Sequence, residues 1–159
     1  MKITILTVGK IKEKYWREAI AEYSKRLSRY CKLKILEVSD EKTVEQASKA
    51  MEEAMLEKEG ERLLKLVKED AYVITLEIKG RQLDSEAFGE KIEQLGVKGI
   101  SHIQFVIGGS IGLSKKVREQ SDFALSFSPM TFPHQLMRVV LLEQIYRGFR
   151  VVRGEPYHK

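Results

Sequence analysis

A chain of 159 residues that is 43% hydrophobic and 32% charged has the make-up of one folded domain, which excludes a disordered or fibrous polymer. No apolar run approaches the roughly 18 residues that span a bilayer, and a single cysteine, Cys31, excludes an internal disulfide. The net charge of +5 is uneven: residues 10–34 carry nine Lys/Arg against three Glu, and residues 37–70 carry eleven Asp/Glu against six Lys/Arg.

Met1–Gly9 alternates like a strand and has no small-residue cleavage site, so it does not read as a signal peptide. Together with the lone cysteine, this predicts a reducing, cytoplasmic setting. Lys2–Val8 is the first strand, ending at Gly9. Glu13–Tyr30 is helical, with Tyr15, Trp16, Ala19, Ile20, Tyr23 and Leu27 at i, i+3, i+4 spacing. The basic charges of this stretch suit an anionic partner, and a solvated helix face accounts for them as well.

Lys32–Val38 reads as an edge or half-buried strand. Thr43 caps a long charged helix to about Lys68. Ala71–Ile78 is a continuous β-rich run, and Lys79-Gly80 is the turn that ends it. Asp84 or Ser85 caps a helix to about Leu95, His102–Ile107 is another buried strand, and Ser114 caps a short helix. Asp122–Phe127 is the last strand. Five strands alternating with helices predict an α/β fold, a mostly parallel sheet with helices on both faces. No repeat, low-complexity tract or linker divides residues 1–159, so a single domain is expected.

The final helix departs from the amphipathic pattern. Leu136, Met137, Val139, Val140, Leu141, Leu142, Ile145, Tyr146 and Phe149 cover every side of it. Such a helix must be buried all round, so one face is expected in the core and another against a second subunit.

Ligands of parallel α/β sheets sit beyond the carboxyl ends of strands. Three such ends stand out: Leu76–Gly80, Ile107–Gly112 and Phe127–Phe132. Gly108-Gly-Ser-Ile-Gly112 lacks the Gly-Lys-Ser/Thr of a P-loop and the G-x-G-x-x-G of a dinucleotide turn. With Met130 and Phe132 at its border, an apolar pocket fringed by backbone polar groups is expected, suited to an adenine-containing ligand. No metal site is expected. His134, at the entry to the last helix, reads either as a helix-start residue bonded to backbone or as a base; Cys31 reads as an ordinary helix–strand cysteine.

Across its length the sequence resembles the small SPOUT-class methyltransferases of the ribosomal RNA large-subunit methyltransferase H family. The resemblance is carried by Ile3–Lys10, Val73–Ile78, Phe105–Leu113, Ser126–Val139, Glu143–Arg147 and Tyr157–Lys159. The Thr-Phe-Pro-His run joined to Leu-Leu-Glu-Gln-Ile-Tyr-Arg is its most specific part. It implies a C-terminal trefoil knot, a homodimer packed through the last helix, and S-adenosylmethionine as cofactor. The cofactor positions it implies are Leu76, Gly108, Phe127, Ser128, Pro129, Met130, Thr131 and Phe132. The implied reaction is methylation of N3 of a pseudouridine in 23S ribosomal RNA, on assembled ribosomes.

Removing an imide proton needs a base and a positive donor. With the resemblance, His134 is the expected base, and Arg147, Tyr157 and His158 complete the expected catalytic set. Tyr157 offers a stacking platform for a splayed-out base. Arg138, one turn after His134, is a candidate for stabilising the anion or holding a phosphate. Two alternatives are a non-catalytic ribosome- or RNA-binding protein of the same fold and a nucleotide-binding domain acting on a small molecule.

Overall fold

The computed structural model of the chain describes residues 1–157. In chain order the elements are β1 (Lys2–Val8), α1 (Lys14–Leu27), β2 (Lys32–Val38), α2 (Lys49–Leu64), β3 (Tyr72–Gln82), α3 (Ser85–Val97), β4 (His102–Ile107), α4 (Lys115–Glu119), β5 (Phe123–Ser126) and α5 (His134–Val152). The strands form one sheet in the order β2-β1-β4-β3-β5. Every pairing in it is parallel.

Successive strand residues point to opposite faces, and the two faces build two cores. Ile3 and Ile5 of β1, Ile74 of β3 and Phe105 of β4 pack with Leu27 of α1, Phe88 and Ile92 of α3, and Leu141, Leu142 and Ile145 of α5. On the other face Leu6, Val8, Val73 and Val106 meet Leu63 of α2 and Val117 of α4. Helices therefore cover both faces, as expected of a parallel sheet. Polar residues of the second face are matched rather than stranded. Thr4 Oγ1 lies 2.9 Å from His102 Nε2. Gln104 accepts the Lys68 N–H at 2.8 Å and donates to the Leu66 carbonyl at 3.0 Å, pinning the link into β3.

Helix α1 ends at Leu27 rather than Tyr30 and β5 is a residue shorter at each end than expected, and two elements differ further. The second helix starts at Lys49, not near Thr43, and Ser48 caps it by accepting the Met51 N–H at 3.2 Å. Gln46, with φ 60°, is left-handed and cannot sit inside a right-handed helix. Lys79-Gly80 does not end β3. The strand runs on to Gln82, and its pairing with β5 slips between Leu76 and Arg81. Ser126 Oγ donates to the Ile78 carbonyl at 2.8 Å and holds the slipped segment.

Helix α5 packs on α1 and α3. None of its residues is fully exposed. Leu136, Val139 and Val140, however, are only half-buried and join neither core. Among the described residues no helix is long and apolar enough to cross a membrane.

Candidate active site

The carboxyl ends of β3, β4 and β5 open into a cleft of about 860 Å³. Its floor is apolar, formed by Leu76, Ile78, Ile107, Leu125 and Phe127. Three segments supply its rim: Gly108–Gly112 after β4, Ser128–Phe132 after β5, and the start of α5 at His134. Each follows a strand end, where backbone groups released from the ladder are free to meet a ligand. Gly108 is held against Gly112 so closely that any Cβ would strike the Gly112 carbonyl. The turn therefore has to be glycine, and its backbone lies bare toward the cleft. Ser128 Oγ accepts the Met130 N–H at 2.9 Å and shapes the second rim. Met130 is 72% exposed and Phe132 39%, so two large apolar side chains meet solvent at the mouth.

Of the cofactor positions expected from sequence, Leu76, Gly108, Phe127, Ser128, Met130, Thr131 and Phe132 all border this cleft, and Pro129 does not. His134 borders it too. Glu77 and Ser110, inside strand ends already marked in the sequence, line it as well, and so do Gln135 and Met137, for which no ligand role was expected. The signal for the last two is adjacency to a helix start already in view.

His134 is half-buried at the first turn of α5. Its Nδ1 is buried and has no hydrogen-bond partner among the described residues. Burial pushes its pKa below the ordinary imidazole value, and Arg138 adds to this, while Asp40 and Glu13 pull the other way. The ring is therefore neutral at pH 7 and able to take a proton.

Arg138 is not available to a substrate. It is 2% exposed and bonded on three sides: to Glu37 at 2.6 Å, to the Gly9 carbonyl at 2.7 Å and to the Val8 carbonyl at 3.1 Å. It ties α5 to the ends of β1 and β2, and the expected anion- or phosphate-binding role is replaced by a structural one. These partners lie far away in sequence, which hid them.

Arg147 and Tyr157 sit elsewhere. Arg147 is roughly three and a half turns beyond His134, about 20 Å of axial rise. Its guanidinium meets Glu143 Oε1 at 2.8–2.9 Å and lies 4.5 Å from the Tyr157 ring centroid. The Tyr157 hydroxyl donates to Glu143 Oε2 at 2.9 Å. Burial and this carboxylate raise the Tyr157 pKa. Tyr146 stacks edge-on to Tyr157 at 5.0 Å. Within one chain, then, His134 is in the cleft while Arg147 and Tyr157 form a separate aromatic–ionic cluster. His158 lies outside the described residues. Cys31 is buried, and burial pushes its thiol up to about 11, which marks it as inert.

The chain is 62% identical, over the full length of both proteins, to a ribosomal RNA large subunit methyltransferase H of Bifidobacterium adolescentis. It is 59% identical, again at full length, to the protein of the same name in Clostridium beijerinckii. Its fold is similar to that of a solved structure described as a probable methylase family protein from Haemophilus influenzae, with a TM-score of 0.54 at 14% identity, covering 99% of this chain and 70% of that one. Residues 1–158 match the family described as "Predicted SPOUT methyltransferase". With that match and these full-length relatives, the chain belongs to the SPOUT methyltransferase family.

Proposed function

We propose that this chain, acting as one domain, is an S-adenosylmethionine-dependent methyltransferase for N3 of a pseudouridine in 23S ribosomal RNA. Large-subunit ribosomal RNA is named in its full-length relatives. The observation that carries the chemistry is the convergence of three strand-end segments and His134 on one cleft. At about 860 Å³ the cleft has room for a nucleoside with an amino-acid tail. Its donor set fits such a ligand: an apolar floor for a purine and bare glycine backbone for polar edges. When bound, S-adenosylmethionine supplies a sulfonium methyl for in-line displacement. Leu76, Gly108, Phe127, Ser128, Met130, Thr131 and Phe132 would hold and orient it. His134 takes the imide proton; its depressed pKa keeps it unprotonated at neutral pH.

We assign the positive donor and the stacking platform to Arg147 and Tyr157 of a second copy. In one chain Arg147 lies too far along α5 to meet the cleft, and Tyr157 is held beside it by Glu143. The half-buried Leu136, Val139 and Val140 share one face of α5 with Glu143 and Arg147, nearly opposite to the face of His134. A second α5 laid antiparallel over this face covers the apolar residues and carries its own Arg147 and Tyr157 toward the end of the helix at which the cleft opens. A homodimer of this kind also doubles the positive charge offered to RNA. The trefoil knot belongs to the same proposal. It is supported by β5 lying beyond β3 at the sheet edge while α5 returns to pack on α1 and α3.

Labelled methyl transfer to ribosomes lacking the modification, compared with free 23S RNA and with no RNA, tests the activity. Ribosomes are expected to accept the methyl on N3 of a pseudouridine. His134→Ala and Arg147→Ala are each expected to lower the rate by about 100-fold or more, with cofactor binding kept. Absence of transfer to every RNA form overturns the activity, and wild-type turnover in His134→Ala overturns the base.

A further inference from the structure

The carboxyl end of β1 gathers a polar cluster that the methyl-transfer scheme leaves unused. Gly9 ends the strand with φ 87°, a conformation open to glycine. A Cβ placed on it would lie 3.6 Å from His134 Cε1 and 3.8 Å from Asp40 Cβ. The β1–α1 turn, the segment after β2 and the start of α5 therefore meet at one point. Glu13 closes that turn as the residue before α1, yet its side chain caps nothing. Its Oε2 is buried and has no partner among the described residues, as is also true of His134 Nδ1.

One orphan is an acceptor and the other, in one tautomer, a donor. A buried polar atom left unbonded costs about 1–3 kcal/mol, and here the turn that Glu13 closes reaches His134 through Gly9 while both residues keep a complementary atom unbonded among the described residues. The charged groups whose fields reach the imidazole are Arg138, Asp40 and Glu13. Arg138 is committed to Glu37 and two carbonyls, and Asp40 is exposed, whereas half-buried Glu13 keeps one oxygen buried and unbonded among the described residues.

We propose that Glu13 is a positioning residue for His134: its carboxylate takes the Nδ1 hydrogen after side-chain rotation, fixes the Nδ1–H tautomer and leaves Nε2 free to act as the base. This rests on His134 being the base of the proposed reaction. The imide N–H bond breaks and its proton goes to Nε2. The electron pair stays on nitrogen and forms the new N–CH3 bond, while the pair of the broken C–S bond stays with sulfur. The resulting imidazolium faces the Glu13 and Asp40 carboxylates. The step needs no other reactant. A base held in the wrong tautomer presents an N–H where it must present a lone pair.

Nitrogen-15 histidine NMR on the full chain, with neither cofactor nor RNA present, reads the tautomer directly, and His134→Ala assigns the signal. The wild type is expected to show neutral His134 as the Nδ1–H form. Glu13→Ala should make the Nε2–H form the major one and lower the His134 pKa, because a carboxylate that favours the cation has gone. Glu13→Gln, of the same shape, keeps an acceptor and should hold the tautomer while still lowering the pKa; it serves if the alanine variant does not fold. In methyl transfer, Glu13→Ala should lose about tenfold or more in kcat with the cofactor Kd unchanged. The acid limb of its pH profile should move to lower pH. An Nε2–H wild type, or a tautomer and pKa unmoved by Glu13→Ala, overturns the pairing. Wild-type turnover in His134→Ala instead sinks the base assignment, and the NMR result separates the two failures.

Discussion

At the scale of single residues, buried charge at the carboxyl end of the sheet is handled in two ways. Arg138 is nearly satisfied: three of its contacts reach partners on β1 and β2, and only Nε is left over. Glu59 of α2 is not. It is 4% exposed, and one oxygen accepts the Glu41 N–H at 2.9 Å while Oε1 has no partner among the described residues. Burial raises its pKa above the ordinary carboxylate value of 4.5. A carboxyl whose pKa is higher folded than unfolded holds its proton more tightly in the native state. It therefore costs stability when ionised in both states, and the cost shrinks as pH falls through the raised pKa toward 4.5. Glu59→Gln keeps an acceptor for Glu41 and removes the charge. We expect it to unfold at higher urea than the wild type at pH 7–8, with the gap closing toward pH 5. A constant gap across that range would show that the charge is not the cause. Sequence could place Glu59 in a charged helix but could not reveal its burial, because α2 looks polar on nearly every side.

At the scale of elements, period and capping residues made most of the fold legible. β2 and β4 have the bounds expected from sequence, and Asp84 and Ser114 cap α3 and α4 through the Ala87 and Val117 N–H groups. What failed were features set by tertiary contact: the left-handed Gln46 that delays α2, and the slip that carries β3 past Gly80. The cleft was legible because glycines and prolines mark strand ends, whereas the partners of Arg138 were not, being long-range. The α3–α5 crossing is another contact that sequence conceals. A Cβ on Gly89 would lie 2.9 Å from Gly148 Cα and 3.0 Å from its carbonyl oxygen, so the two helices touch backbone to backbone. In an exposed helix Gly→Ala gains about 1 kcal/mol of propensity. Here the clash is with backbone, which cannot swing aside, so overpacking should win. Gly89→Ala is expected to destabilise by about 1–3 kcal/mol in urea unfolding. Gly148→Ala should act in the same direction, and the pair should be non-additive because both strain one contact. A stabilised Gly89→Ala would mean that the crossing is looser than described.

At the scale of the whole molecule, the division of the proposed catalytic residues predicts how two copies would share a site. His134 borders the cleft, while Arg147, more than three turns further along the helix, and Tyr157, beyond its end, are both bound to Glu143. The stripe between them, Leu136, Val139 and Val140, is half-buried and belongs to neither core. A two-fold dimer through that stripe gives each cleft one chain's His134 and the other chain's Arg147. Two inactive variants, His134→Ala and Arg147→Ala, should then complement each other. When they are unfolded and refolded together in equal amounts, random pairing makes half of the dimers mixed. Each mixed dimer holds one intact site of two, so about a quarter of the wild-type methyl-transfer rate should return. Val140→Glu, added to both variants, sets like charges against each other in the stripe. It should leave monomers by sedimentation and abolish the recovery, while calorimetry still finds the cofactor bound, since the cleft is built from one chain. Recovery that survives in monomers would rule out the stripe as the contact. No recovery from dimers that do mix would place both residues' action within a single chain.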